Sequence, residues 1–446
     1  MTRDMTEGAP ARLILQFTLP LIFGNLFQQL YSMVDTILVG RFLGKQSLAA
    51  VGSTGSLSFL LIGFCLGLCS GFAIPVAQHF GGKRIEELRQ SVGNIIWLIG
   101  AASVLFTVLT VLLCRPMLAA MNTPEDILEE AYRYLVVIFA GIPATFFYNI
   151  QAALLRALGD SRTPVLFLML ASAVNILLDF VLILFTPLGA AGAAAATVIS
   201  QLLSGGACFL FILKKFEILH LSKDHLRLRS ECVGELLSAG VPMGLQTSIT
   251  AVGSILLQIS VNALGSLAVA AVTASGKISM LFCCIFDALG VAMSTYGGQN
   301  IGAGKTERLT PGLWAGMGIG SLYALLSLGI ILLFGRGMMT LFVDKGETAL
   351  IENAYRFLCI NAAFYIPLVG VNVFRLLIQG MGYSKMAVLA GVCEMIARGV
   401  TGLFLVPAFG FTAACFASPI AWILADLFLV PAYFTICRHL RRWGVR

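Results

Sequence analysis

The chain has 446 residues, of which 58% are apolar and only 11% charged, with a formal net charge of +7. Soluble domains carry roughly 25% charge, so this composition excludes a water-soluble fold and makes lipid the solvent for most of the chain. Backbone groups cannot go unpaired in hydrocarbon, and apolar runs of about 20 residues or more select helices over a closed barrel.

Breaks at Gly, Pro and charge clusters predict twelve spans. They lie near 13–39, 50–78, 92–113, 131–156, 164–185 and 190–213, then 235–262, 267–298, 312–334, 352–378, 386–408 and 411–436. The first span is expected to be retained, because no small-residue cleavage site follows a short apolar core. It carries Asn25, Gln28, Ser32 and Asp35 at i, i+3, i+7, i+10, one face of a helix. Span four adds Tyr134, Thr145 and Tyr148. Span five repeats the spacing with Ser172, Asn175 and Asp179, and span six with Thr197, Gln201 and Ser204. The longest polar break, 214–234, divides a lobe over 1–215 from a lobe over 216–446. No segment is long enough for an attached soluble ATPase or catalytic domain, and no catalytic cluster points to an integral-membrane enzyme.

In the second half, span ten places Asn361, Tyr365, Asn372, Arg375 and Gln379 on roughly one face. Span eleven carries Glu394 and Arg398 at i, i+4, the spacing of an ion pair along one helix. Lys277 and Asp287 in span eight are ten residues apart, too far to bond within one helix unaided. Asp426 lies in span twelve.

With a cytoplasmic N-terminus, 19 Lys and Arg fall on the inside, 7 outside and 3 within spans. This bias fits both termini inside and explains the positive net charge as topology, leaving no reason to invoke nucleic acid. Most of the 11 cysteines sit in spans without paired CxxC spacing, as small polarizable packing residues. The four histidines, His79, His220, His225 and His439, fall at predicted cytoplasmic ends and give no support to a histidine metal site.

The chain also repeats itself. QHFGGK (78–83) matches QNIGAGK (299–305), LAAV (48–51) matches VAAV (269–272), and Gly44 matches Gly265. LGDSR (158–162) matches MGYSK (381–385), IP (142–143) matches IP (366–367), and Pro20 and Pro242 open corresponding spans. Six spans against six, each half starting on the same side, predicts an all-α integral membrane fold. Its two six-helix lobes are related by a pseudo-two-fold axis along the membrane normal, an arrangement that encloses a substrate cavity and alternates its access. The paired prolines permit bending of long helices.

Asp35 and Asp179 are the polar residues hardest to explain as packing. A carboxylate at mid-membrane depth costs about 2.5–3.5 kcal/mol on insertion scales, and the first half offers no mid-span Lys or Arg to pair with either. Two carboxylates facing one wet cavity can exchange a proton between sides, or hold sodium with amide and hydroxyl oxygens. Gln28, Tyr148 and Gln201 in the first half, and Gln246, Tyr365, Asn372 and Arg375 in the second, are candidates to line the substrate cavity. Aromatic side chains such as Phe146, Phe282 and Phe364 could stack on a flat organic cation.

LPLIFGNLFQQLYSMVDTILVGRFLG (19–44), QHFGGK, LRALGDSRTP (155–164) and NILLDF (175–180), in this order and spacing, resemble the multidrug and toxic compound extrusion (MATE) family of prokaryotic type. The resemblance covers the whole chain. It implies an efflux antiporter of the plasma (inner) membrane, a monomer without cofactor, exchanging organic cations or drugs for protons or sodium. It further implies a coupling-ion site at Asp35, Asn175, Asp179 and Thr197, with Tyr134 nearby. Some members use carboxylates in spans seven and ten. Here span seven offers Gln246 and Thr247, and span ten Asn372 and Arg375, so the expectation moves to the first lobe. The alternative is a flippase for lipid-linked precursors of the same superfamily. Flipping an anionic headgroup favours a cationic cavity, whereas the spans of the first half are net negative and those of the second neutral.

Overall fold

Lipid forces the apolar runs into internally hydrogen-bonded backbone, and every regular element among the described residues is helical. The computed structural model describes residues 2–121, 123–340 and 346–443; Lys345 and Arg446, counted in the charge bias, lie outside the described residues. The first half contains α1 Pro10–Leu38 with a π-helical extension Val39–Leu43, α2 Lys45–Gly81, α3 Ile85–Ala120, α4 Glu125–Ala140, α5 Ile142–Ala157, α6 Arg162–Phe185 and α7 Ala190–Lys215. The second contains α8 Ser230–Asn262, α9 Ser266–Gly302, α10 Leu309–Met339, α11 Thr348–Ala363, α12 Tyr365–Gly380, α13 Ser384–Val400, α14 Val406–Phe409 and α15 Phe411–Trp443.

Ten helices are long and apolar enough to cross a membrane, and two bent pairs, α4 with α5 and α11 with α12, raise the total to twelve if each is one span. The pairs bend by 46° and 50°. Each break falls beside the repeated Ile-Pro. Proline lacks the N–H that a continuous helix needs but is tolerated in a first turn, so Pro143 and Pro367 start new helices. Two expectations change as a result. Tyr134 lies on α4 whereas Thr145 and Tyr148 lie on α5, and Asn361 on α11 does not share a helix face with Tyr365, Asn372, Arg375 and Gln379 on α12.

The repeat is written in the backbone. α2 and α9 are both 37 residues long, and the members of the two bent pairs are 16 residues each. Gly44 and Gly265 take φ of 91° and 95°, and Gly159 and Gly382 take 79° and 92°, a region glycine enters without a Cβ penalty. A Cβ on Gly159 would stand 2.0 Å from the Arg3 carbonyl oxygen, so this turn has no room for one.

Contacts divide the chain into two units, Met1–Asp4 with Phe23–Gly244, and Met5–Ile22 with Leu245–Arg446. Both internal boundaries, inside α1 and α8, come just after Pro20 and Pro242. In the second unit Met5 is fully buried: its N–H donates to Gln299 Oε1 at 2.8 Å and its carbonyl accepts from Asn300 Nδ2 at 3.2 Å. Arg308 Nη2 donates to the Gly8 carbonyl at 2.7 Å. The Gln and Asn of QNIGAGK therefore serve as a dock for the N-terminal segment.

In the first unit the segment between α7 and α8 is fastened to α3. Gln90 Nε2 and Trp97 Nε1 donate to the carbonyls of Arg227 and Leu226 at 2.6 and 2.9 Å, and Asn94 Oδ1 accepts from the Arg229 N–H at 3.0 Å. Arg89 Nε and Nη2 donate to the carbonyls of Ile218 and Glu217. These side chains replace the water that an irregular backbone otherwise needs. Gly93 makes the approach feasible, because a Cβ there would lie 2.0 Å from the His225 carbonyl oxygen. Gly93→Ala is expected to cost about 1–3 kcal/mol through overpacking and to loosen this segment. The expected result is a lower thermal midpoint in detergent and faster tryptic cleavage at Lys223, Arg227 and Arg229; unchanged melting and digestion would reject the fastening.

At the start of α6, Asp160 accepts from the N–H groups of Arg162 and Thr163 at 3.0 Å each and from the Thr163 hydroxyl at 2.6 Å. Burial works against its ionisation, but these and other donated bonds outweigh it and hold the carboxyl below the ordinary aspartate value. Its stabilisation is therefore present near neutral pH and lost as pH falls through the lowered folded value.

Candidate ion-coupling site

The site in the first unit begins with small residues. The run AAGAAAA (190–196) at the start of α7 carries no side chain larger than a methyl group, which lets α6 approach closely. A Cβ on Gly192 would lie 3.2 Å from the Leu182 carbonyl oxygen of α6. Thr197 follows this run and meets Asn175. In the amide orientation that satisfies both ends, Asn175 Nδ2 donates to Asp179 Oδ2 and Oδ1 accepts from the Thr197 N–H, each at 3.2 Å. The Thr197 hydroxyl lies 3.4 Å from the same amide and donates to the Ala193 carbonyl at 3.2 Å.

Asp179 is 0% exposed and Asn175 2%, while Asp35 on α1 is half-buried. The Oδ1 atoms of Asp35 and Asp179 are both buried without a hydrogen-bond partner. The Asp35 charge acts on Asp179, and both act on the phenols of Tyr31 and Tyr134. Among the described residues no lysine or arginine acts on either carboxylate. Two acids thus share one electrostatic neighbourhood, each with one oxygen open. An unpartnered ionised oxygen away from water is costly; a proton, or a cation with oxygen ligands, removes that cost.

The structure brings together Asp35, Tyr134, Asn175, Asp179 and Thr197. Tyr31 joins them although the sequence reading passed over it; its spacing of i−4 from Asp35 was the available signal. The remaining candidates are dispersed. Gln28 is exposed on α1, and Tyr148 is buried with its hydroxyl donating to the Pro164 carbonyl at 3.3 Å. Gln201 Oε1 accepts from the Thr145 hydroxyl at 2.8 Å, and Ser204 donates to the Phe167 carbonyl at 2.5 Å, so both tie helices together.

In the second unit Gln246 accepts from Gln379, and Asn372 Nδ2 donates to the Leu368 carbonyl of its own helix at 3.1 Å. Tyr365 is 1% exposed with its ring edge-on to Phe286 at 5.3 Å. Arg375 Nη1 donates to Glu394 Oε1 at 2.7 Å, and Arg398 joins the same carboxylate. The helix ion pair expected at Glu394 and Arg398 is present, but the shorter bond comes from another helix.

A carboxylate kept without a permanent partner is a stability liability. Asp179→Asn is expected to melt at the same temperature as the parent or higher. Asn175→Leu, which strands Asp179 Oδ2, is expected to lose about 1–3 kcal/mol. Thermal unfolding in detergent reads both, and the reverse order would assign Asp179 to stability.

Two helical repeats with this span pattern define a multi-span membrane protein of the transporter class. The family model MatE matches residues 20–181 and 242–404, once in each repeat, and the chain belongs to that family, whose members are transport proteins and not enzymes. The chain is 31% identical over 377 residues to "Probable multidrug resistance protein YoeA" of Bacillus subtilis (strain 168), covering 82% of this chain and 80% of that protein. It is 28% identical over 372 residues to "Probable multidrug resistance protein YpnP" of the same organism, covering 83% and 82%. Its fold matches "Crystal structure of MATE in complex with MaL6" with a TM-score of 0.91, at 21% identity, over 98% of both chains.

Proposed function

We propose that this chain is a multidrug transporter that exports lipophilic or cationic compounds by alternating access, in exchange for protons or sodium bound at Asp35, Asn175, Asp179 and Thr197 with Tyr134 beside them. The observation that carries the reading is the pair of buried carboxylate oxygens on Asp35 and Asp179 that lack a partner. An antiporter needs a site that is stable with its ion and unstable without it, and that is what an acid pair without a cation provides. The named relatives support drug export, and they do not favour the lipid flippase. The positive-inside bias supports both termini in the cytoplasm, and the bacterial relatives support the plasma membrane. No cofactor is required, and a single chain carries the whole proposed site.

Purified protein in liposomes, loaded with a fluorescent lipophilic cation, tests this. Efflux is expected to follow an imposed pH gradient or an imposed sodium gradient, and whichever alone suffices names the ion. Asp35→Asn and Asp179→Asn are each expected to fall to the rate of empty liposomes while inserting normally. Undiminished gradient-driven efflux by both variants would overturn the site.

A further inference from the structure

The second unit holds its own buried charge cluster. Glu394 on α13 accepts from two guanidinium groups, Arg375 of α12 through Oε1 at 2.7 Å and Arg398 of its own helix through Oε2 at 3.4 Å. The three side chains are 3%, 12% and 9% exposed. Asp426 of α15 faces this triad, with Arg375 and Glu394 both acting on it. The other segments packed on α15, namely α11, α14 and residues 306–308 and 401–405, bring no charged group to bear on it among the described residues. Asp287 of α9 is also within the influence of Arg375.

Asp426 is built into its place. Gly370 of α12 leaves the room its carboxyl occupies, since a Cβ there would lie 2.5 Å from Oδ2 and 2.8 Å from Oδ1. Yet Asp426 Oδ1 is buried without a hydrogen-bond partner, and among the described residues no cation comes within 4.0 Å of the carboxylate. Both arginines are engaged by Glu394, although Arg375 Nε and Arg398 Nη1 are buried without a partner.

Charge balance then selects a proton. Glu394, Asp426 and Asp287 outnumber Arg375 and Arg398 by one, so the cluster is neutral when a single carboxyl is protonated. Glu394 holds two guanidinium groups, and of the other two acids Asp426 is the one with a buried oxygen that lacks a partner.

We propose that Asp426 is a proton-binding carboxylate, housed in the second unit and set by the Arg375–Glu394–Arg398 triad, so that the transporter carries a proton site in the second unit besides the ion site of the first. Its role in exchange rests on the antiport reading above; its protonation does not. Asp426 acts as a proton acceptor, with no group transferred other than H⁺.

Infrared difference spectra of the full chain in lipid, between acid and alkaline buffer, test the protonation directly. The Asp35→Asn/Asp179→Asn background removes the two acids of the first-unit site and is expected to retain a protonated-carboxyl band with a contribution from Asp426. Adding Asp426→Asn should remove one carboxyl's share of that band; if this variant does not fold, Asp426→Ser is read in its place. A band unchanged by the third substitution overturns the proposal. In liposomes, Asp426→Asn alone should exchange about one proton fewer per tetraphenylphosphonium, and an unchanged ratio also overturns it. Absence of transport by the parent chain under both a proton and a sodium gradient would sink the antiport reading, while the infrared band still decides on Asp426.

Discussion

Water is missing where most of this chain lives, and the structure follows from that. A polar atom at membrane depth must find its partner within the protein, since the solvent offers none. Most do so through their own helix or a neighbour. Asn361 reaches the carbonyls of Phe357 and Cys415, Ser204 that of Phe167, and Asn94 that of Gln90. These bonds are the ordinary fastening of helices in lipid. Against that background an acid oxygen left open is informative, because hydrocarbon penalises it and the fold has many ways to satisfy it.

The duplicated backbone and the polar side chains have diverged. Helix lengths, the two Ile-Pro breaks and the paired glycines are shared by both repeats, which is what packing and turn geometry demand of each. The ionisable residues are not shared. The first unit holds Asp35 and Asp179 with no lysine or arginine among the described residues that acts on them, whereas the second surrounds Glu394 with two arginines and sets Asp426 beside them. The fold therefore needs the repeat, while the chemistry uses the difference between its copies.

Local spacing made part of this legible in the sequence. Asn175 and Asp179 stand at i, i+4, so their bond follows from helix geometry alone. The Ile-Pro repeats marked where helices bend, although treating each span as continuous put Asn361 on the wrong face. Contacts between distant helices were less visible. The bond from Thr197 to Asn175 depends on the alanine run that lets α6 and α7 approach, and the bond from Arg375 to Glu394 joins helices whose pairing no periodicity reveals. Tyr31 went unnoticed because a tyrosine in a membrane helix has many ordinary uses.

The choice of partner for Asp179 carries the last step. A lysine or arginine in place of Asn175 would hold the carboxylate ionised permanently, because a buried ion pair broken on one side costs about 3–5 kcal/mol. A leucine would leave both oxygens bare. An amide donates one neutral hydrogen bond, enough to orient Oδ2 while Oδ1 remains open. The carboxyl is then held in place in either charge state, and its occupancy is free to follow the ion supply. Glu394 shows the opposite solution in the same chain, a carboxylate fixed by two guanidinium groups, and the contrast marks Asp179 as the group left free to change.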